Sequence, residues 1–402
     1  MESTSYVRMP FFIFEKFWPI LRLYHLTGAH FPCYRMVDEQ NQKVLLRPMT
    51  TFTMLRNYFL YLFTVILIGG LSIVAMKISG NGLSYTNVTD AFDKHGGSKL
   101  DYGTFSLVVI DSLIVHIVVV IKNISYKHHL AEIQNLFEKY CSIDGQILKA
   151  SKRWIVPMAV TGFVMLWSGY LVFINGLVLL MVEEYDMIFE HQLPFILLQT
   201  GLGHLLHYPI YAFSHTYIEI CQNFSAWAQT ILANPNQLLL DTHHLMETIA
   251  FASKAMAVQL FSIVLMCVLI LIGLSFSLVS YFLVNRWFTA TSCVLMISGI
   301  GLVALWCIIY LLFIVCLSQN IVDQVQQLSY AIRCFSSDET HIWLDDKKFE
   351  WRDFKEIVLY SVDNFQGFDG WGYFKINKSL LATIAGHFMT YFIVLVDFKI
   401  ND

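Results

Sequence analysis

A narrow polar stripe runs along the stretch from Asn377 to Lys399, in which residues 380–396 are mostly apolar. At about 100° per residue, one face of a helix through this segment collects two threonines, a histidine, a valine and an aspartate. Such a stripe is costly against lipid, so it should face protein or water. Several copies of the helix around an axis would enclose a pore with a carboxylate ring at one mouth. The stripe consists of Thr383, His387, Thr390, Val394 and Asp397.

Two members of the stripe suit roles in the ion selectivity and the gating of such a pore. Asp397 would favour cations, and Val394, one turn below it, would form an apolar constriction that gates by dewetting. Tyr391 lies beside the stripe and would pack between adjacent subunits. The alternative is that the polar members of the stripe hydrogen-bond to other spans of the same chain.

The composition is that of a protein that crosses a membrane several times. Of the 402 residues, 56% are hydrophobic and 14% are charged, whereas about a quarter of the residues in a soluble domain are charged. The net charge of −4 argues against a nucleic-acid partner. The N-terminus lacks a short apolar core with a small-residue cleavage site, so we expect the first span to act as the membrane signal.

Seven apolar segments are long enough to cross most or all of about 30 Å of hydrocarbon. The sequence therefore predicts an all-α polytopic membrane protein with seven transmembrane helices. The segments are Tyr58–Met76, Phe105–Ile121, Trp154–Val182, Leu193–Tyr217, Leu260–Phe282, Ser292–Leu317 and Leu380–Val396.

The basic residues predict the orientation of these spans. All 26 lysines and arginines lie outside the predicted spans, 21 of them on the side that holds the N-terminus and 5 on the other side. The positive-inside rule then places the N-terminus in the cytosol and the C-terminus outside the cell. In this topology the sequon Asn87-Val88-Thr89 lies in the first outer loop, where Asn87 is accessible to glycosylation.

The C-terminal residues resemble a known signature. Residues 372–381, followed by Thr390-Tyr391, a hydrophobic run and Asp397-Phe398, are similar to the C-terminus of insect-type gustatory receptors. In that family the pattern is Thr-Tyr, five mostly apolar residues and Gln-Phe, so Asp397 stands where Gln is usual. A G-protein-coupled receptor has the opposite orientation, and its Asp-Arg-Tyr and Asn-Pro-x-x-Tyr motifs are missing here.

The resemblance implies a seven-span, ligand-gated, non-selective cation channel in the plasma membrane, as in sensory neurons. It implies a small tastant as ligand, permeant cations, contact with membrane lipid, and a homo- or heterotetramer with related subunits around the seventh helices. It implies neither enzymatic activity nor a cofactor. A membrane transporter and a metabotropic seven-span receptor are the alternatives, and the absence of inverted repeats argues against the transporter.

Polar residues in the second to fourth spans predict a ligand pocket. Asp111 lies about 9 Å from the outer end of its span at helical rise, and Asn175 and Gln199 reach a similar depth. Amide, carboxylate and aromatic groups suit a small polar or amphipathic ligand, although each could instead pair or pack between helices. The resembled family's pocket lies in the outer half of the same spans. The predicted ligand-binding residues are Asp111, Ser112, Trp167, Tyr170, Asn175, Gln192, Gln199 and His204.

The histidines do not favour a metal site, and no enzyme motif is found. The pairs His128-His129, His204 with His207, and His243-His244 would each leave most of a coordination shell empty. Nucleophile-elbow, phosphate-loop and dinucleotide-binding patterns are absent from the sequence. We therefore predict neither a metal nor a catalytic residue.

The chain divides into four predicted regions. Residues 1–56 form a cytosolic segment whose residues 11–18 suggest a helix on the membrane surface or one packed on the protein. Residues 57–317 hold six spans and the pocket, residues 318–378 are cytosolic, and residues 379–402 form the pore helix with a short extracellular tail. The resemblance implies that the cytosolic helices pack into a central anchor that joins four subunits.

Within the cytosolic region, three local structures are expected. Asn320 to Cys334 continues the sixth span as a helix, and Asp363 to Gly372, with three glycines, is the turn into the last span. Between them, Asp345 to Asn364 reads as a charged amphipathic helix. Its apolar side would carry Phe349, Phe354, Ile357 and Val358.

Overall fold

The described part of the protein is mostly helical. The computed structural model describes residues 6–7, 34–38, 43–46, 220–233, 237–284, 291–335, 341–344 and 347–401, together with scattered positions between 59 and 218. Helix α1 covers residues 220–233, α2 is Leu238–Val284, α3 is Thr291–Cys334, α4 is Trp351–Asp363 and α5 is Lys378–Asn401.

In the described part of the chain, seven short strands accompany these helices, so the predicted all-α class is confirmed in the coarser form of a mostly helical protein. β1 (Tyr6–Val7), β2 (Tyr34–Asp38) and β3 (Lys43–Leu46) form an antiparallel sheet in the order β1-β3-β2. Two hairpins follow, β4 (His341–Leu344) with β5 (Lys347–Glu350), and β6 (Phe368–Gly370) with β7 (Phe374–Ile376). All of these strands are short and lie outside the seven predicted spans.

Helices α2 and α3 are each too long to be contained in a bilayer. Their 47 and 44 residues extend for about 70 and 66 Å at helical rise, roughly twice the hydrocarbon thickness. In the described part of the chain, two helical segments have the length and composition to cross a membrane, Leu238–Phe276 and Val294–Cys334, and Lys378–Val394 is a shorter apolar helix. The fifth, sixth and seventh predicted spans all fall on these helices.

Residues 318–378, which the sequence predicts to be cytosolic, confirm some expectations and correct others. α3 continues without a break to Cys334, as predicted. The helix expected from Asp345 begins at Trp351, because the residues before it pair as the β4–β5 hairpin around a two-residue connection. Phe354 and Val358 are buried as expected, but Ile357 is 46% exposed. The expected turn before the last span contains the β6–β7 hairpin.

Contacts of one buried aromatic ring and one buried hydroxyl, Phe368 and Ser318, hold the β6–β7 hairpin between the long helices, and we call these contacts the junction. The Phe368 ring is fully buried, with its centroid 5.6 Å from the ring of Tyr217 and 6.3 Å from that of Phe224. The buried Ser318 hydroxyl of α3 donates to the Ile376 carbonyl (2.5 Å) and accepts from the Phe368 N–H (3.3 Å). One side chain therefore satisfies backbone groups of both strands where water cannot.

The tip of the β6–β7 hairpin is held by Asp369. Its carboxylate accepts from the Gly372 N–H (2.5 Å) and from the Lys375 ammonium (2.9 Å), while its own N–H donates to Ser253 of α2 (2.8 Å). Burial alone would raise the pKa of Asp369, but the Gly372 N–H and Lys375 outweigh burial and lower it. At pH values above the usual carboxyl pKa, these bonds therefore stabilise the hairpin. This contribution is lost as the pH falls through the lowered pKa of Asp369.

Several predicted features lie outside the described residues. They include most of the first four spans and residues 11–18, for which both readings stand as predictions. The positions described within the first three predicted spans are helical.

Two glycines of the hairpin give a matched test of the junction. Gly367 has a φ of 115°, and a Cβ there would press on the Ile376 carbonyl, whereas Gly372 has a φ of 79° with open space around it. We expect Gly372→Ala to cost about 1–2 kcal/mol of conformational strain. Gly367→Ala should destabilise the protein by about 1–3 kcal/mol more than Gly372→Ala does, because its new Cβ overpacks against the Ile376 carbonyl. Thermal unfolding of the detergent-purified variants measures both, and equal losses would contradict the described packing at Gly367.

Candidate functional site

The last helix, α5, begins with a well-defined cap. The Asn377 side-chain oxygen accepts from the Ser379 N–H (3.0 Å), and its amide donates to the Gln366 carbonyl (2.8 Å). An asparagine at this position satisfies N–H groups that the first helical turn leaves unpaired. The Lys378 N–H donates to the side-chain oxygen of Gln319 on α3 (3.1 Å), which ties the start of α5 to the end of the predicted sixth span.

One face of α5 packs on its own chain, against α2 and α3. The side chains at its base join the core, and those above them are half-buried at intervals of about one turn. Phe388 and Phe392 stack on this face, with ring centroids 5.7 Å apart and planes within 8°. The residues of this face that pack on the core are Leu380, Leu381, Ile384 and Phe388, and Phe392 and Val396 continue it as half-buried positions.

The opposite face of α5 is exposed along its length. All five members of the predicted polar stripe lie on it, and the structure brings them onto one line of the helix surface. Val394 is 45% exposed, and Tyr391, beside the stripe, is 57% exposed. The stripe is therefore directed away from the α2 and α3 helices on which α5 packs.

The two threonine hydroxyls of the stripe bond within their own helix. Thr383 donates to the Ser379 carbonyl (3.1 Å), and Thr390 donates to the Gly386 carbonyl (2.9 Å). Each hydroxyl oxygen keeps acceptor capacity that points outward from the helix. A line of such oxygens, with a histidine between them and a carboxylate at the end, could coordinate partly hydrated cations if several copies faced one another.

The predicted ligand-binding residues are not among the described positions. Asp111, Ser112, Trp167, Tyr170, Asn175, Gln192, Gln199 and His204 all fall outside them, as does the predicted glycosylation site Asn87. The ligand pocket remains a prediction from the sequence.

Sequence reasoning missed the residues that hold α5 in place. Ser318 looked like an ordinary polar residue at the end of a span, and Phe368 like one of many aromatics. A usable signal was Gly372 in the three-residue connection Trp371-Gly372-Tyr373, since a glycine with positive φ is typical of short hairpin connections. The long-range bonds of Ser318 have no local sequence signal.

Comparison with known proteins gives a match at the level of the fold. No family model matches the sequence, and no curated protein does. The olfactory receptor OR5 of the insect Machilis hrabei, solved in complex with eugenol, is similar over 96% of this chain and 99% of its own, with a TM-score of 0.64 and 14% identity. OR5 solved in a second structure matches with a TM-score of 0.58 over 96% and 98% of the two chains, also at 14% identity. The chain therefore has the fold of an insect olfactory receptor.

Proposed function

We propose that the chain is a subunit of a gustatory-receptor-like, ligand-gated, non-selective cation channel, assembled as a tetramer around its seventh helices. The observation that carries this proposal is the exposed polar stripe of α5, opposite a face that packs on the same chain. A helix that crosses a membrane with this arrangement needs protein or water against the stripe. Four copies around an axis would supply it.

The fold supports a chemoreceptor, and the C-terminal residues narrow the choice. A similar structure is an insect olfactory receptor that binds eugenol, a small molecule. The resemblance of residues 372–398 to gustatory receptors favours a tastant over an odorant for this chain. The predicted pocket around Asp111, Asn175 and Gln199 would bind it in the outer half of the bundle. Binding there would favour the open channel through contacts that differ between the open and closed states.

Exposed side chains on the cytosolic helices support an assembly role. Tyr330 on α3 is 72% exposed, and Ile357 and Tyr360 on α4 are 46% and 74% exposed. α4 is itself held to α3, because Arg333 and Ser329 each donate to the Asp363 carboxylate at 2.6 Å. A firmly held helix with large exposed side chains suits contact with neighbouring subunits. In the proposed tetramer these side chains would meet in the anchor.

The proposed gate at Val394 can be tested before any ligand is known. Val394→Thr adds a hydroxyl to the apolar constriction, which should lower the cost of wetting it and produce a cation current without ligand. Ile393→Thr is the matched control, because Ile393 is 60% exposed but lies off the stripe. Whole-cell recording from cells that express only this chain measures the current. Equal currents from the two variants, or a purified chain that stays monomeric, would contradict the pore.

Charge selectivity can be measured in the same leaky background. Asp397→Asn should lower cation permeability relative to anions, because it removes the proposed carboxylate ring. The effect should shrink at high salt, since the Debye length falls from about 10 Å at 0.1 M to about 3 Å at 1 M. Asp353→Asn, the same substitution at an exposed position of α4, is the control. Unchanged reversal potentials after Asp397→Asn, with normal surface expression, would remove Asp397 from the conduction path.

The pocket is tested by separating potency from conductance. With a small molecule identified by a current screen, Asp111→Asn and Asn175→Ala should raise the half-maximal concentration and leave the single-channel conductance unchanged. Loss of a charge-assisted hydrogen bond at Asp111 is worth about 1.5–3 kcal/mol, or roughly a tenfold or greater change in potency, and loss of a neutral one at Asn175 is worth about 0.5–1.5 kcal/mol. A fall in conductance at unchanged potency would place these residues in the conduction path instead.

A further inference from the structure

The β6–β7 hairpin lies at the level where three apolar segments end. Ser318, which bonds both strands, directly follows the predicted sixth span. Lys378 begins α5 two residues before the predicted seventh span. Phe261, in the first turn of the predicted fifth span, has its ring centroid 5.9 Å from that of Phe374 in β7. The hairpin therefore marks one boundary of the membrane-spanning region.

The exposed face of α2 changes character at the same level. Lys254 is exposed on this face, Phe261 is half-buried under the hairpin, and Leu265 and Leu269 are 38% and 36% exposed one and two turns further on. Lys254 and Leu265 are separated by about 16 Å along the helix axis. A change from charged to apolar along one exposed face is expected where a helix passes from water into hydrocarbon.

Two large aromatic side chains project from the hairpin at this boundary. Trp371 is 56% exposed and Tyr373 is 73% exposed, with ring centroids 5.6 and 5.1 Å from that of Phe261. Their rings are 6.0 Å apart, so they form one aromatic patch. The bonds of Asp369 to the Gly372 N–H and to Lys375 hold the turn that presents them.

We propose that Trp371 and Tyr373 insert into the phospholipid headgroup layer and hold the base of α5 at a fixed depth. Rings with an apolar body and a polar N–H or O–H are favoured at this layer, because one end can be dry and the other wet. Lys375 is neutralised by Asp369, so a zwitterionic phospholipid suffices as the partner. The inference rests on the proposed insertion of the chain into a membrane.

Photo-crosslinking in a defined bilayer tests the contact. The full chain carrying Tyr373→benzoylphenylalanine is reconstituted in phosphatidylcholine vesicles, irradiated and weighed intact by mass spectrometry. We expect a mass increase of one phosphatidylcholine. The same residue at Tyr360, which is 74% exposed on the cytosolic helix α4, should give no lipid adduct. At Leu269, on the proposed lipid-facing side of α2, it should give one.

Each other outcome overturns one of the statements above. A lipid adduct at Leu269 without one at Tyr373 overturns the headgroup contact and leaves membrane insertion intact. A cross-link between two copies through position 373 overturns it in favour of a subunit contact. Adducts at neither position overturn membrane insertion and with it the proposed channel. Equal adducts at Tyr360 and Tyr373 overturn the assignment of the boundary to the hairpin.

Discussion

A helix that spans a membrane with polar groups along one side cannot leave that side in hydrocarbon, and α5 has the arrangement that this constraint requires. The helix turns its aliphatic and aromatic face toward α2 and α3 and leaves Thr383, His387 and Asp397 exposed. A helix that only completed the bundle of its own chain would do the reverse and bury its polar groups against its neighbours. The arrangement thus presents the polar face to whatever surrounds the chain.

The rotation of α5 is set at its base by a few strong contacts. Ser318 bonds both strands of the hairpin that precedes the helix, Gln319 accepts from the first helical N–H, and Asn377 caps the first turn. Phe368 anchors the same hairpin in the core shared by α1, α2 and α3. Because a helix is stiff over its length, fixing the first turn fixes which face is presented about 36 Å away. The proposed headgroup contact of Trp371 and Tyr373 would set its depth in the same way.

The features predicted well from the sequence are those with a local period or composition. The apolar segments identify α2, α3 and α5, and the 3.6-residue period places the polar stripe on one face of α5. Boundaries decided by pairing were predicted less well. The β4–β5 hairpin replaced the start of the helix expected at Asp345, and Ile357 points outward although it was placed on the apolar side. Strand pairing across a two-residue connection overrode helical periodicity at the start of this helix, whereas Ile357 lies within α4 beside its buried line of Phe354, Val358 and Val362.

The sequence by itself determined that the chain is rich in long apolar segments, which residues share a helical face, and the likeness of its C-terminus to gustatory receptors. Tertiary structure decided which face of α5 is packed and which is left exposed. It also decided that Ser318 joins the hairpin to α3 across 50 and 58 residues of sequence. The physical reason is that helical period is a property of neighbours along the chain. Burial and long-range hydrogen bonds depend on which surfaces meet once the whole chain has folded.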